Sequence, residues 1–144
     1  MKVSDMIGSR AEVFSVTEDA TVHDAARYLR EKQVRAVGVR NAQGKLVGVI
    51  SQSDISDKVA AENKCPAWLR VSEVMSTDLI TVPPDSSFDG CMRLMEKHGF
   101  YHLLVIDEKA GYRGMISIQD LLRVMVTDQK ARADMLEAYV YPQR

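Results

Sequence analysis

Cysteine is almost missing from this chain. Cys65 and Cys91 are the only two, they form no C-x-x-C pair, and their surroundings are unlike, so neither a disulfide framework nor a zinc site is indicated. Histidine is nearly as scarce: His23, His98 and His102 are too scattered for a metal triad. An excess of charge is also lacking, because 19 basic residues stand against 20 acidic ones and leave a formal charge of −1. Such a chain has no global field to hold a nucleic-acid polymer, and any anion it binds must be gripped locally. No apolar run approaches the roughly 20 residues that a bilayer-crossing helix needs. The opening Met1-Lys2-Val3-Ser4-Asp5 has an acid early and no apolar stretch behind its lysine, unlike a secretory signal. A cytoplasmic location, reduced thiols and no membrane partner are therefore expected. Catalytic signatures are wanting too. Five residues separate Gly38 from Gly44, and Leu46 follows Lys45, which fails the phosphate-loop template; G-x-S-x-G and H-E-x-x-H do not occur. With no evident nucleophile, base pair or metal cluster, the expectation is a protein that is not an enzyme and carries no cofactor.

What remains is an ordinary globular composition, 46% hydrophobic and 27% charged over 144 residues, enough for a sizeable core. Its organising feature is an internal repeat. Leu-Val-Gly-Val-Ile-Ser-Gln-Ser-Asp-Ile at 46–55 resembles Tyr-Arg-Gly-Met-Ile-Ser-Ile-Gln-Asp-Leu at 112–121, an offset of 66. Held without a gap from Ser15/Thr81 to Ile55/Leu121, that offset superposes eight identities in 41 columns, among them Gly48/Gly114, Ser51/Ser117 and Asp54/Asp120.

The patterns beneath the identities agree more strongly than the identities do. Val22, Ala25, Ala26 and Leu29 recur at helical spacing, and Phe88, Cys91, Met92 and Met95 repeat it, with Thr21 and Ser87 placed as N-caps. Each copy opens with a small strand, Glu12 to Val16 or Leu79 to Val82. After its helix comes an apolar run, Ala36 to Val39 or Leu103 to Ile106, then a polar turn, then a strand at 46–50 or 112–116 and a second helix from about Ser53 or Gln119. The unit reads β-α-β-β-α, an α/β (α+β) fold. Because one copy could not cover its own sheet, two are expected to pack face to face as one module. The divisions expected are 1–62, a linker at 63–70, 71–125, and a C-terminal helix and tail at 126–144. In the linker Pro66 reads as a helix stop and Trp68 as an anchor onto the core. From Leu121 to about Val140, Leu122, Met125, Leu136 and Val140 fall at roughly helical spacing before Pro142 ends the segment, a candidate dimer contact. Met92, Met95 and most other methionines occupy apolar columns and read as core fillers.

Chemistry concentrates in Gly48-Val49-Ile50-Ser51-Gln52-Ser53-Asp54 and its copy Gly114-Met115-Ile116-Ser117-Ile118-Gln119-Asp120. Each is a strand ending in Ser, followed by a helix whose first turn holds Asp. One reading is a capping box, worth about 1 kcal/mol. The other is a ligand site, since a helix N-terminus and a serine hydroxyl can donate to a phosphate while a carboxylate accepts both hydroxyls of a ribose.

The pattern Gly-hydrophobic-hydrophobic-Ser-x-x-Asp closing a β-α-β-β-α repeat, present twice, resembles the CBS domain family. The openings Val3-Ser4-Asp5-Met6-Ile7 and Val71-Ser72-Glu73-Val74-Met75 are similar to the start of that family's repeats, and the resemblance covers about residues 1–125. It implies a disc-like tandem pair with two clefts that binds AMP, ADP or ATP, or else NAD(H) or S-adenosylmethionine, and signals occupancy to an unidentified regulated protein. It implies ribose contacts by Asp54 and Asp120, phosphate contacts by Ser51 and Ser117, and adenine packing near Phe14 and Ile80. Val34-Arg35-Ala36 is similar to a phosphate-holding segment in the regulatory gamma subunit of AMP-activated kinase, which points to Arg35; the equivalent stretch of the second copy offers His102 and Tyr101. Gly38 and Leu104 stand where the family commonly has a proline, a departure expected to alter cleft shape. A homodimer is expected. The alternative is a structural interaction module whose clefts take no ligand and whose Ser and Asp residues serve only as caps.

Overall fold

The structure is a computed structural model, and it describes residues 2–8 and 13–140. Its elements follow the repeat: α1 (Val3–Ile7), β1 (Ser15–Thr17), α2 (Val22–Lys32), β2 (Ala36–Arg40), β3 (Leu46–Ser51) and α3 (Gln52–Ile55), then α4 (Val71–Val74), β4 (Thr81–Val82), α5 (Phe88–His98), β5 (His102–Asp107), β6 (Gly111–Ser117) and α6 (Ile118–Val140). Each copy makes a three-stranded sheet, ordered β1-β2-β3 and β4-β5-β6. The outer strand runs parallel to the middle one across the helical crossover, and the hairpin partner runs antiparallel. Both hairpins shift register at the same repeat position, Val39/Arg40 and Val105/Ile106. The first strands are shorter than the periodicity suggests; Glu12 lies outside the described residues, and Ile80 precedes β4, although its carbonyl still accepts Leu104 N–H at 3.0 Å.

Local chemistry sets the helix ends. Thr21 Oγ1 accepts Asp24 N–H at 3.1 Å, and Ser87 Oγ accepts Gly90 N–H at 3.1 Å, as capping requires. Both long crossover helices then end at equivalent left-handed residues, Gln33 (φ 56°) and Gly99 (φ 70°). The helix after β3 widens into a π-helical turn at Ser56–Ala60 and stops at Asn63, whose φ is 54°. Pro66 is therefore not the stop expected of it. It opens a one-turn 3₁₀ segment, Pro66–Trp68, where a residue with fixed φ and no N–H donor fits. Trp68 is also corrected: it is 86% exposed and anchors nothing in the core, because that short turn carries it outward. Pro142 lies outside the described residues.

Apolar side chains gather in two cores, one per sheet, and each borrows from the other copy. Val3 and Ile7 of α1 pack with Val82, Cys91, Met95, Leu103, Val105, Ile116 and Leu121, all from the second copy. Val71 and Val74 of α4 pack with Val22, Ala25, Leu29, Val37, Val39, Ile50 and Val59, all from the first. Backbone hydrogen bonds repeat the exchange symmetrically. Val3 and Ser4 donate to Ser86 and Pro84 carbonyls (2.9 and 2.8 Å), while Val71 and Ser72 donate to Ala20 and Glu18 (2.8 and 3.1 Å). Burying a valine or isoleucine side chain is worth on the order of 2 kcal/mol gross, so four exchanged side chains couple the copies by an amount comparable with a domain's net stability. The sheets also meet directly. Gly38 is buried beneath the Tyr112 ring, where a Cβ would come within 2.9 Å of ring carbons, and the Arg40 guanidinium lies 5.3 Å from that ring's centroid.

Candidate functional site

Both Gly-x-x-Ser-x-x-Asp segments deliver their Ser at a strand's last residue and their Asp in the first helical turn, and both sets of residues open onto clefts between the repeats. The capping box forms twice. Asp54 Oδ2 accepts Ser51 N–H at 3.0 Å and Ser51 Oγ accepts Asp54 N–H at 3.1 Å; Asp120 Oδ2 accepts Ser117 N–H at 2.8 Å and Ser117 Oγ accepts Asp120 N–H at 3.2 Å. The helices' leading N–H groups are used as well, Gln52 donating to Arg35 carbonyl and Ile118 to Tyr101 carbonyl, both at 2.9 Å. Those bonds fix the residues just before β2 and β5 against the helix starts.

The larger cleft has a volume of about 840 Å³. Phe14 and the Gln33–Val37 segment line it together with Ser51, Asp54, Tyr101, His102, Ser117, Asp120 and Arg123. Phe14 is held edge-on to Tyr28, centroids 6.3 Å apart, with Lys32 Nζ 5.2 Å from its ring centroid, so an aromatic surface is fixed at the wall. Arg35, His102 and Arg123 bring positive or ionisable nitrogen to a space whose own Asp54 is already paired with Lys58. Burial pushes the His102 imidazole below its ordinary range; Asp120 raises it and Arg35 lowers it further, so these three side chains share one electrostatic neighbourhood.

The smaller cleft, about 110 Å³, is lined by Leu79, Ile80 and Leu104 together with Ser51, Asp54, Ser76, Tyr101 and His102. Leu104, one of the two residues replacing the family's proline, lines this cleft, whereas its counterpart Gly38 makes room for the Tyr112 ring. The larger cleft thus brings Phe14 together with both Asp54 and Asp120, and the smaller one brings Ile80 together with Asp54.

Two cleft residues, and a third that bonds to a cleft carboxylate, escape the sequence reading. Lys58 Nζ reaches Asp54 Oδ1 at 2.9 Å, and Arg123 lines the larger cleft one turn after Asp120. Helical spacing, four residues on from Asp54 and three on from Asp120, is the signal that finds both. Ser76 Oγ donates to Asp54 Oδ1 at 2.8 Å, and no local pattern announces it. It arrives because the chain after α4 pairs with β3, Val49 and Ser76 exchanging backbone hydrogen bonds of 2.9 and 2.8 Å. Gly48 permits this crossing, since a Cβ there would lie 2.6 Å from Met75 Sδ.

Among the described residues no helix is long and apolar enough to cross a membrane, and no group of three potential metal-ligating side chains occurs. Comparison with known proteins bears on this arrangement directly. The family model described as CBS domain matches twice, at residues 3–61 and 71–127. A CBS domain-containing protein of Arabidopsis thaliana, CBSX3, which is mitochondrial, is 31% identical over 128 residues, covering 86% of this chain and 62% of that protein. A homoserine O-acetyltransferase of Methanococcoides burtonii is 32% identical over 114 residues, 79% of this chain and 22% of that enzyme. The chain thus spans less than two thirds of the length of either relative. Among solved structures, a signal-transduction protein with CBS domains from Burkholderia ambifaria MC40-6 superposes with a TM-score of 0.81 at 29% identity, over 90% of this chain and 96% of that one. The CBS domain pair of protein MJ0100, solved with 5′-methylthioadenosine and S-adenosyl-L-methionine, superposes at 0.78 with 23% identity, over 89% and 98%.

Proposed function

Because the chain belongs to the CBS domain family, as a tandem pair, we propose that it is a regulatory module that binds an adenine nucleotide and transmits occupancy to a partner protein. The observation that carries the proposal is the larger cleft, whose lining brings Arg35, His102 and Arg123 together with Ser117, Asp120 and Phe14. At about 840 Å³ it falls in the range of small-molecule sites, roughly 300–1,000 Å³. Phe14 offers a flat apolar face for adenine, Asp120 a carboxylate for the ribose diol, and Ser117 with the cationic groups an anion site. MJ0100, whose fold is similar, was solved with two adenosine-containing molecules, which supports the nucleoside part of the reading. The cations favour a phosphate-bearing ligand, AMP, ADP or ATP, over the sulfonium of S-adenosylmethionine; NAD(H) also carries phosphate and stays within the class. Catalysis is not part of the proposed role.

Signalling proceeds by population shift: a ligand touching Phe14 from one copy and Asp120 from the other favours the arrangement in which those walls are close. The experiment is direct. The purified protein is denatured, released small molecules are identified by mass spectrometry, and melting is followed with added AMP, ADP, ATP, NAD(H) and S-adenosylmethionine. An adenine nucleotide at a hundred times its Kd stabilises by about 2.7 kcal/mol, roughly 5–11 °C for a chain of this size. Both capping boxes being fully formed favours one other reading, an interaction module that binds nothing. Melting unmoved by any of these compounds would establish it.

A further inference from the structure

The last helix outruns the module it closes. In the first copy, α3 and the widened turn after it end at Ala60, whereas α6 at the same place in the repeat runs from Ile118 to Val140. The start of α6 is packed, with Leu121 buried in the second core and Val124 half-buried. Further along, Met125, Val126, Thr127, Gln129 and Ala133 are all exposed. A helical stretch with no face against a core is marginal in water, and a partner helix is what stabilises it.

The sequence of this stretch is periodic. Leu122, Val126, Gln129, Ala133, Leu136 and Val140 follow one another at alternating steps of four and three. That alternation is the a/d seam of a coiled coil, and at 3.6 residues per turn the six positions fall within a stripe about 80° wide. Leu121, buried in the core, lies about 100° round the helix from the centre of that stripe. The first four seam residues are exposed, Leu122 at 48% and Val126 at 63%. Residue types then select the partner. Val126 and Val140 stand at a, Leu122 and Leu136 at d, the combination that favours two parallel strands. Gln129 is the one polar residue of the seam. In a parallel, in-register pair it meets the partner's Gln129, an amide that can both donate and accept; in an antiparallel pair it meets the partner's Ala133, which offers no side-chain hydrogen bond. The flanking positions agree. Parallel pairing brings Arg132 at g level with the partner's Glu137 at e, whereas antiparallel pairing sets Arg132 beside the partner's Arg132 and Lys130 beside the partner's Lys130.

We infer that α6 pairs with the α6 of a second copy as a parallel, in-register, left-handed two-stranded coiled coil over residues 122–140, with Gln129 fixing the register. The twofold axis then runs along the coil. Arg123, which lines the larger cleft, adjoins the first seam residue, so the larger clefts of both copies sit at the same end of the coil.

The test is cysteine cross-linking of the whole chain, in a Cys65→Ser background that removes the exposed native thiol and leaves the buried Cys91. Under mild oxidation Gln129→Cys and Ala133→Cys are each expected to give a disulfide-linked dimer on a non-reducing gel. Thr127→Cys, exposed but on the far side of the helix from the seam, is expected to remain a single chain. Cross-linking that appears only when Gln129→Cys and Ala133→Cys chains are mixed overturns the parallel orientation. Thr127→Cys linking as readily as Gln129→Cys overturns the seam. With no variant at all, sedimentation of the wild type as a single chain at micromolar concentration overturns the pairing. Gln129→Leu gives the converse measurement: with the buried polar group gone the dimer should dissociate about tenfold less readily or better, and an unchanged dissociation constant removes Gln129 from the seam.

Discussion

Asp54 and Asp120 share a spacing, a cap and a place in the repeat, yet their side chains have different prospects. With Asp54 saturated by Ser51, Ser76 and Lys58, replacing it removes a hydrogen-bonded and ion-paired buried group, and the loss should appear in stability whether or not nucleotide is present. For Asp120→Ala the expected loss is in the ligand-dependent part: the melting increment given by saturating nucleotide should shrink by about 1.5–3 kcal/mol, the worth of a hydrogen bond to a charged acceptor. Equal increments in wild type and Asp120→Ala would remove that carboxylate from the site. His102 supplies a pH dependence. Burial lowers its folded pKa below 6.5, so the unfolded chain takes up the proton first as pH falls. Its contribution to stability is complete above about 6.5 and is lost as pH drops toward the folded pKa. A bound phosphate acts in the opposite direction, favouring the imidazolium. Nucleotide affinity should therefore rise as pH is lowered through that range, with proton uptake visible as a buffer-dependent binding enthalpy, absent in His102→Gln. The Ser-x-x-Asp pair was legible in the sequence because it is local and occurs twice. The further bond from Ser76 to Asp54 was not, because Ser76 reaches it across 22 residues of chain, from a segment that pairs with β3 beside Gly48.

At the scale of elements, the sequence disclosed every crossover helix and hairpin strand through periodicity, since each buries one face locally. It did not disclose where α1 and α4 go. Five and four residues are too few to show a period, and their apolar residues say only that something covers them. In the folded chain α1 joins the second core and α4 the first, and the consequence is measurable. Ile7→Ala should destabilise the protein by about 2–4 kcal/mol in denaturant unfolding. Amide exchange should then be faster in β5 and β6 than in β2 and β3, because Ile7 belongs to the same core as Leu103, Val105 and Ile116. Faster exchange confined to the first sheet would contradict the exchange of helices.

For the whole molecule, α6 presents Leu122, Met125 and Val126 to solvent, 48%, 38% and 63% exposed, at i, i+3 and i+4 on a 23-residue helix. A stripe of that kind suits a second copy related by a twofold axis, and sedimentation should give twice the 16.1 kDa chain mass, while Leu122→Glu should return the chain mass. A single species at 16.1 kDa across micromolar concentrations would exclude the dimer. The repeated architecture was legible because both copies carry the same pattern; the full linings of the clefts were not, because Ser76 and Leu104 come to them through space. The traded opening helices have a further consequence during synthesis. As the chain leaves the ribosome, the first sheet can close only after Val71 and Val74 have followed it out, a short delay. The second sheet waits on a segment made before the whole first copy, so α1 must stay unclaimed until Ile116 and Leu121 emerge. Residues translated ahead of the first sheet are thus among the last to be buried, and a nascent chain interrupted before β6 exposes Val3 and Ile7 to whatever chaperone or protease reaches them first.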